Sequence, residues 1–463
     1  MGLGSQVVGL IDRQNAFFRS GHTRSAKARQ VALDTLLKGM KAYESRFLAA
    51  LKQDLGKSEF EAYASEIGIT YEEIRFARKK VKRWMRVRKV PTPLFAMPGK
   101  SEIHYKPYGV ALILSPWNYP LQLALMPAVA ALAAGNTVLL KPSEFAPATA
   151  QAMEDMVRDF FEPDLFALVQ GEADVAQQLI DAGPDYLFFT GSTAVGKKIM
   201  SAASEQLIPL TLELGGKSPA LVQDDADVEV AARRIVWGKF LNAGQTCVAP
   251  DYVMVSERFK TQLIDSMKHE VGELYGNAAQ SDAYGRIVNE RHFDRLMRML
   301  EGTDAAEAGH DRDRLHIEPA ILDIGHISDN DAREHSTMKE EIFGPILPVL
   351  SYDSVEEARD FVVRRPAPLA AYVFTRNGNA GREWLGSIQA GGGCVNDTIM
   401  HLTSPHLPFG GVGPSGHGSY HGEAGFQTFS HAMSVMDRMT RPDIRLRYPP
   451  YGERVSLLRK LLG

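Results

Sequence analysis

The sequence is short of the features that mark a secreted, membrane-spanning or nucleic-acid-binding chain. Only two of its 463 residues are cysteine, too few for a disulfide framework, and a pair of free thiols fits the reducing cytoplasm. No apolar run reaches the ~20 residues of a membrane span; the longest weakly polar stretch, Leu121 to Ala134, holds Gln122 and Pro127. The apolar piece Val7 to Ile11 is too brief for a secretion signal, and Gln6 stands where an N-myristoylation motif wants Ser or Thr. Charge of one sign is not concentrated either. The 52 basic and 56 acidic residues leave a net charge of -4 and no charged tail, so neither nucleic acid nor anionic lipid is expected as a partner. The densest basic run, Arg78 to Arg88, alternates with apolar positions and reads as the solvated face of a helix. Repeats and low-complexity tracts are missing. The histidines form no H-E-x-x-H pattern, and His417 and His421 lie in a glycine loop without cysteine partners, so no metal site is expected. The ending 454–462 reads as a short closing helix rather than a stable membrane anchor.

What is present is an average globular composition long enough for two or three cores. Ala26 to Leu55 and Glu59 to Arg86 carry apolar residues at helical spacing, stopped by Pro91, Pro93 and Pro98. From Gly109 the period changes. Short apolar β runs (Val110 to Leu114, Thr137 to Leu140, Leu165 to Val169, Tyr186 to Phe189, Leu210 to Leu212) alternate with helical patterns, which is the pattern of βαβ units and a parallel sheet covered on both faces. A second such series begins near Ser218, with strands Ala220 to Val222 and Tyr252 to Val255 and helices Val228 to Asn242, Glu257 to Leu274 and Asn289 to Leu300. The segment Gly302 to Arg314 reads as a surface loop, and Pro408 to Gly418 as turns.

Three glycine patterns compete for a phosphate. Gly411-Val412-Gly413-Pro414-Ser415-Gly416 spells G-x-G-x-x-G, but no strand precedes it and Pro414 obstructs a helix, which rules it out as a dinucleotide site. Gly191, Ser192, Thr193, Ala194, Val195 and Gly196 follow an apolar strand and open a helix, whose N-terminal N–H groups would face an anion. Lys198 stands where a triphosphate-binding loop needs a magnesium-binding hydroxyl, so a diphosphate is the better fit. Gly215-Gly216-Lys217 reads as a turn. Lys141 and Glu144 end another strand at the edge where open α/β sheets bind ligands; a carboxylate there can accept from a ribose diol, or both can simply be solvated.

Three residues suggest acyl-transfer chemistry. Glu213 interrupts the apolar run Leu210 to Leu214, so it either faces a functional cavity as a general base or sits in a buried ion pair. Cys247 follows Asn242-Ala243-Gly244-Gln245-Thr246, whose polar residues make plain core packing a poor account of this cysteine. An unperturbed thiol is under about a tenth ionised at neutral pH, so a nucleophilic Cys247 needs a base or local N–H groups. Asn118, at the carboxyl end of a strand, could supply one oxyanion donor and the Cys247 N–H the other. Cys394, after three glycines, has no such setting beyond apolar packing with Val395.

The ordered strings Pro-Trp-Asn-Tyr-Pro at 116, Lys-Pro-Ser-Glu at 141, Phe-Thr-Gly-Ser-Thr at 189, Leu-Glu-Leu-Gly-Gly-Lys at 212, Gly-Gln-Thr-Cys at 244, Glu-Glu-Ile-Phe-Gly-Pro at 340 and Leu-Pro-Phe-Gly-Gly at 407 closely resemble the aldehyde dehydrogenase superfamily, in its class 3 branch. The resemblance implies an α/β fold with a Rossmann-type cofactor domain at 1–211, a catalytic domain at 212–400, and a bridging and oligomerisation segment at 401–463 joined by 101–108. It implies oxidation of an aldehyde with NAD or NADP in a cytoplasmic homodimer, with Cys247 as nucleophile, Asn118 holding the oxyanion and Glu213 activating water. Gly191 to Gly196 would receive the pyrophosphate, Lys141 and Glu144 the adenine-side ribose, and Glu341 with Phe343 the nicotinamide ribose and ring; Glu341 could share the base's role. Tyr119, Thr246, Phe409 and His421 would line the pocket for a medium-chain aliphatic or aromatic aldehyde. Ala194 stands where many members carry glutamate, and Ser336 to Met338 replaces a commoner proline-containing approach. Two rival readings remain on the residues alone: a nucleoside triphosphatase, disfavoured by Lys198, and a binding protein that has lost its chemistry.

Overall fold

A computed structural model describes residues 3–443, 448–452, 455, 456 and 459. Among them, strands β1 (Arg88–Val90) and β2 (Gly99–Pro107) are followed by the five β3 (Val110–Leu114), β4 (Thr137–Lys141), β5 (Phe166–Leu168), β6 (Tyr186–Thr190) and β7 (Leu210–Glu213). The next six are β8 (Pro219–Val222), β9 (Tyr252–Ser256), β10 (Ala320–His326), β11 (Ile346–Tyr352), β12 (Ala370–Phe374) and β13 (Gly392–Val395); β14 (Gly416–His417) and β15 (Ser430–Arg438) close the series. They form three sheets.

The first sheet runs β14-β7-β6-β3-β4-β5. Its strands β3 to β7 are parallel and largely apolar, with Lys141 and Glu213 closing β4 and β7, in the order of a doubly wound nucleotide-binding sheet whose direction of winding reverses between β3 and β6. The second, β10-β11-β9-β8-β12-β13, is parallel throughout. The third, β1-β2-β15, is antiparallel and mostly exposed along β15, as expected for 101–108 pairing with the C-terminal part of the chain.

The helix Gln122–Ala134 follows β3 and is buried at every position but Gln122. That explains its lack of a polar stripe: a helix apolar all round belongs in a core. The expected helix Glu59 to Arg86 forms as Glu59–Ala62, a π-helical turn Tyr63–Ile67 and Gly68–Trp84. The surface loop 302–314 contains a short 3-10 turn, Asp304–Glu307. The closing helix expected at 454–462 falls largely outside the described residues. No helix among those described is long and apolar enough to cross a membrane.

The rejected G-x-G-x-x-G run has a structural task. Gly416 pairs antiparallel with Glu213, so β14 covers the edge of the first sheet that β7 would otherwise leave open. Gly416 has φ +131, and a Cβ there would overlap the carbonyl oxygen of Leu212. Only glycine fits such a crossing. Gly416→Ala is expected to cost about 1–3 kcal/mol, read as a lower thermal midpoint, with a loss of activity from the displaced Glu213; an unchanged midpoint would show that β14 is not held this way.

Candidate active site

The carboxyl ends of the first sheet and the amino ends of the second face one another across a cavity of about 690 Å³. From the first come Asn118 after β3, Lys141 at the end of β4, Gly191 after β6 and Glu213 at the end of β7; from the second come Cys247 before β9 and Glu341 before β11. All six line the cavity.

The segment that presents Cys247 is not the helix end the sequence suggests. The helix stops at Phe240, and Asn242, Ala243 and Gly244 take left-handed φ values of 53°, 51° and 76°. Non-glycine residues adopt this region at a cost, which is met here by side-chain bonds. Asn242 Nδ2 donates to the Asn118 carbonyl (2.7 Å), Gln245 Nε2 to the carbonyls of Asn242 and Arg286 (3.0 Å each), and Gln245 Oε1 accepts from Val288 N (3.0 Å). Tyr372 Oη holds the carbonyl of Val248 at 2.5 Å. The thiol is thus carried on a turn locked from several sides.

Burial, reinforced by the negative charges of Glu341 and Glu213, raises the Cys247 pKa, while the N–H groups of Cys247 and Val248 oppose that rise. The resting side chain is a thiol, and ionising it requires a base in the cavity. Glu213 is 1 % exposed, neither of its carboxylate oxygens has a hydrogen-bond partner, and burial pushes its pKa well up. The ion-pair reading of Glu213 finds no partner among the described residues. Asn118 is buried with one amide N–H on the Gln245 carbonyl (3.0 Å), leaving the other for the cavity.

Glu341 is raised to about 8, chiefly by burial and next by Asp251, with Lys217 and Lys239 pulling the other way. A Cβ on Gly215 would overlap its carboxylate, so the glycine pair read as a simple turn also makes room for this side chain. Lys217 next to it is not solvated: its Nζ bonds Asp251 and the carbonyls of Thr337 (2.6 Å) and Glu340 (3.1 Å), and Asp251 Oδ1 accepts from Ile342 N (3.0 Å). Arg295 adds bonds to the carbonyls of Ile342 (2.5 Å) and Glu341 (3.4 Å). This clamp fixes the approach to Glu341 and was invisible in the one-dimensional pattern. Lys239, fully buried, has no partner for Nζ, and burial lowers its pKa to about 8.

At the far end of the cavity wall, Lys141 and Glu144 form an ion pair at 3.1 Å. Gly191, Ser192, Thr193 and Val195 line the cavity where the helix Thr193–Ser204 begins; Ala194 is exposed on the same turn, and Gly196 packs on Leu214, where a Cβ would come within 2.7 Å. Ser192 Oγ caps that helix start by accepting from Val195 N (3.4 Å), and the end of a helix dipole there favours an anion. Phe343 lines the cavity and meets Trp117 edge to face, centroids 5.4 Å apart. Lys198, Arg291, His292 and Arg295 also line it. The sequence shows the helix Glu290–Leu300 but not which face turns inward; the four-residue spacing of Arg291 and Arg295, which puts both on one face, is the signal.

The four residues named for the aldehyde pocket stand apart from this cavity. Tyr119 and Thr246 are buried and share a hydrogen bond of 2.6 Å, and Phe409 stacks on His421 at 5.5 Å. None of them lines it. Cys394 is not confined to apolar packing, because its Sγ lies 3.5 Å from His401 Nδ1.

A sequence model of the aldehyde dehydrogenase family matches residues 5–435. The chain is 46% identical to the 4,4'-diaponeurosporen-aldehyde dehydrogenase of Staphylococcus aureus over 94% of this chain and 95% of that one. It is 40% identical to a dimeric NADP-preferring aldehyde dehydrogenase of Canis lupus familiaris, over 96% and 98%. A solved structure, the substrate-bound state of Staphylococcus aureus AldH, superposes with a TM-score of 0.93 at 43% identity, covering 100% of both chains. The chain therefore belongs to the aldehyde dehydrogenase family, as an oxidoreductase that converts an aldehyde to its acid with NAD or NADP. Its relatives include family 3 members H1, B1 and A2, which places it in the class 3 branch.

The raised pKa of Glu341 has a sign that can be measured. Folding favours its protonated form, so its carboxyl is harmless to stability below about pH 4.5 and increasingly unfavourable as pH rises toward about 8. Replacement by Gln removes that dependence. Relative to Glu341→Gln, the wild type is expected to lose up to about 1.4 kcal/mol per pH unit across that window, measured by denaturant unfolding; parallel curves for the two proteins would contradict the burial-driven shift.

Proposed function

We propose that Cys247 is the nucleophile, Asn118 and the Cys247 N–H the oxyanion donors, and Glu213 the principal base. The observation that carries this reading is Glu213 itself: a fully buried carboxylate with both oxygens unpartnered on the wall that it shares with the thiol. Stability alone gives no reason to keep such a group.

In the reaction, Sγ gives its proton to a cavity carboxylate and adds to the aldehyde carbonyl, while the amide of Asn118 and the Cys247 N–H take the oxyanion. The cofactor, when bound, supplies the hydride acceptor. Departure of the hydride leaves a thioester on Cys247. Glu213 then takes a proton from water, whose oxygen attacks the thioester carbon, and the acid leaves as the thiol is restored. Glu341, whose burial-driven rise is opposed by the nearby Lys217 and Lys239, assists as a second proton acceptor. The helix start at 191–196 holds the pyrophosphate, Lys141 and Glu144 the adenine-side ribose, and Glu341 and Phe343 the nicotinamide end. Lys198 and Arg291 bring positive charge to the same cavity, which suits NADP as well as NAD.

For the substrate we favour a medium-chain aliphatic or aromatic aldehyde, reaching Cys247 through the cavity that the thiol lines; Tyr119, Thr246, Phe409 and His421 stand outside that cavity and are not assigned to its path. We favour the domain division 1–211, 212–400 and 401–463: the second sheet lies wholly within 212–400, whereas β7 straddles the first boundary, β14 joins the last part to the first sheet, and β1 and β2 of the first part pair with β15 of the last. A homodimer is supported by the exposed apolar residues Leu94, Phe95, Met97, Met433 and Met436 on and beside the third sheet. Two free cysteines suit the cytoplasm.

The test is turnover of an aldehyde panel, from medium-chain aliphatic and aromatic aldehydes to a long polyene aldehyde, with NAD and with NADP. Cys247→Ala is expected to lose about 10⁴-fold or more in kcat. Glu213→Gln is expected to retain one rapid turnover and then slow by about 10²–10⁴-fold, as thioester accumulates. Wild-type turnover in the Cys247→Ala protein would end the mechanism.

A further inference from the structure

The proposed oxyanion donor Asn118 is held by a charge pair that no step of the mechanism uses. Lys57 and Glu66 are each 0% exposed, with Nζ and Oε1 2.5 Å apart. Lys57 lies just beyond the glycine that ends the helix Ala26–Leu55, and Glu66 is on the π-helical turn Tyr63–Ile67. Such turns are uncommon and often accompany functional sites.

Every strong bonding position of the pair points at one short segment. Lys57 Nζ donates to the carbonyl of Asn118 (3.0 Å) and sits over the ring of Tyr119, 3.9 Å from its centroid. Glu66 Oε2 accepts from Leu121 N (2.9 Å) and Gln122 N (3.3 Å), the first amides of the buried helix Gln122–Ala134. That helix has no side-chain cap of its own, as Leu121 occupies the cap position. A carboxylate there is favoured by the helix dipole and satisfies two donors that would otherwise be buried without a partner. The ammonium therefore fixes the backbone oxygen of Asn118, and the carboxylate fixes the chain three and four residues on. Between them they hold the backbone at and beyond Asn118, alongside Asn242 Nδ2 on the same carbonyl (2.7 Å), while the Asn118 amide itself bonds the Gln245 carbonyl (3.0 Å).

A buried ion pair is seldom the most stable way to fill a core, since desolvation offsets most of the attraction; its retention calls for another task. We infer that Lys57 and Glu66 are positioning residues for the oxyanion donor, acting through Asn118 rather than on the substrate. The inference rests on the reading of Asn118 given above.

The test is a double-mutant cycle on the full chain. The neutral pair Lys57→Met/Glu66→Gln removes both charges of the ion pair together, so that neither partner is left facing the other's empty place. It is expected to lower kcat/KM for aldehyde oxidation by about 10- to 100-fold. The KM for NAD is expected to hold, as is the rate at which iodoacetamide alkylates Cys247, a displacement that develops no oxyanion. In an Asn118→Ala background, the same replacement is expected to cost less than about threefold more, because its target is gone. If the neutral pair does not fold, Glu66→Gln, which keeps an oxygen for the helix amides, goes through the same cycle. An equal loss in both backgrounds, or a parallel fall in alkylation and cofactor affinity, overturns the positioning role alone. An Asn118→Ala protein with wild-type kcat/KM overturns the oxyanion reading and the inference with it.

Discussion

Two carboxylates and a thiol share one cavity, and burial disfavours the charged form of each. Left to itself such a grouping would open to water or recruit counter-charges. The surrounding structure prevents both outcomes. Backbone pairing with β6 and β14 fixes Glu213 from either side, the Lys217–Asp251 clamp and Arg295 fix the approach to Glu341, and the left-handed turn at 242–244 fixes the thiol. The cations nearest Glu341 act on its main chain or at a distance, so they anchor the segment without neutralising Glu213. In Glu341, raised to about 8, the cavity thus keeps one group whose proton is easily exchanged near neutral pH.

The geometry joins two opposite ends of two parallel sheets. Ligands of open α/β sheets gather beyond the carboxyl ends of the strands, which holds here for Asn118, Lys141, Gly191 and Glu213. Cys247 and Glu341 instead precede their strands. Because helices cover both sheets, the cavity lies end to end between them, where carbonyl ends of one sheet's strands and N–H ends of the other's are directed inward.

Much of this was legible in one dimension, and the parts that were not share a cause. The alternation of apolar strands with helices marked β3 to β9 nearly to the residue, since a strand buried on both faces has to be apolar throughout. Glu213 and Cys247 stood out because each broke a local expectation. The turn at 242–244 did not, because its helical pattern runs on past Phe240 and only bonds from Asn242, Gln245 and Tyr372 to distant carbonyls reveal where the chain departs. Lys217, Asp251 and Arg295 were unremarkable charges until partners far along the chain came beside them. Cys394 likewise lacked any local sign of His401. Residues that do chemistry tend to betray themselves locally; residues that hold them are defined by long-range contacts.

The strand β14 has a further implication for how the protein comes into being. Every other member of the first sheet has been synthesised by Thr190 or Glu213, yet the edge at β7 waits for a partner encoded close to the end of the same family-matched region. Until that segment leaves the ribosome, the nascent sheet presents an open ladder bearing an unhoused carboxylate, and the cavity has no finished wall. Loop closure of that span comes late and slowly. A polypeptide that ended before Gly416 would carry Cys247 and Glu213 without the strand that borders Glu213.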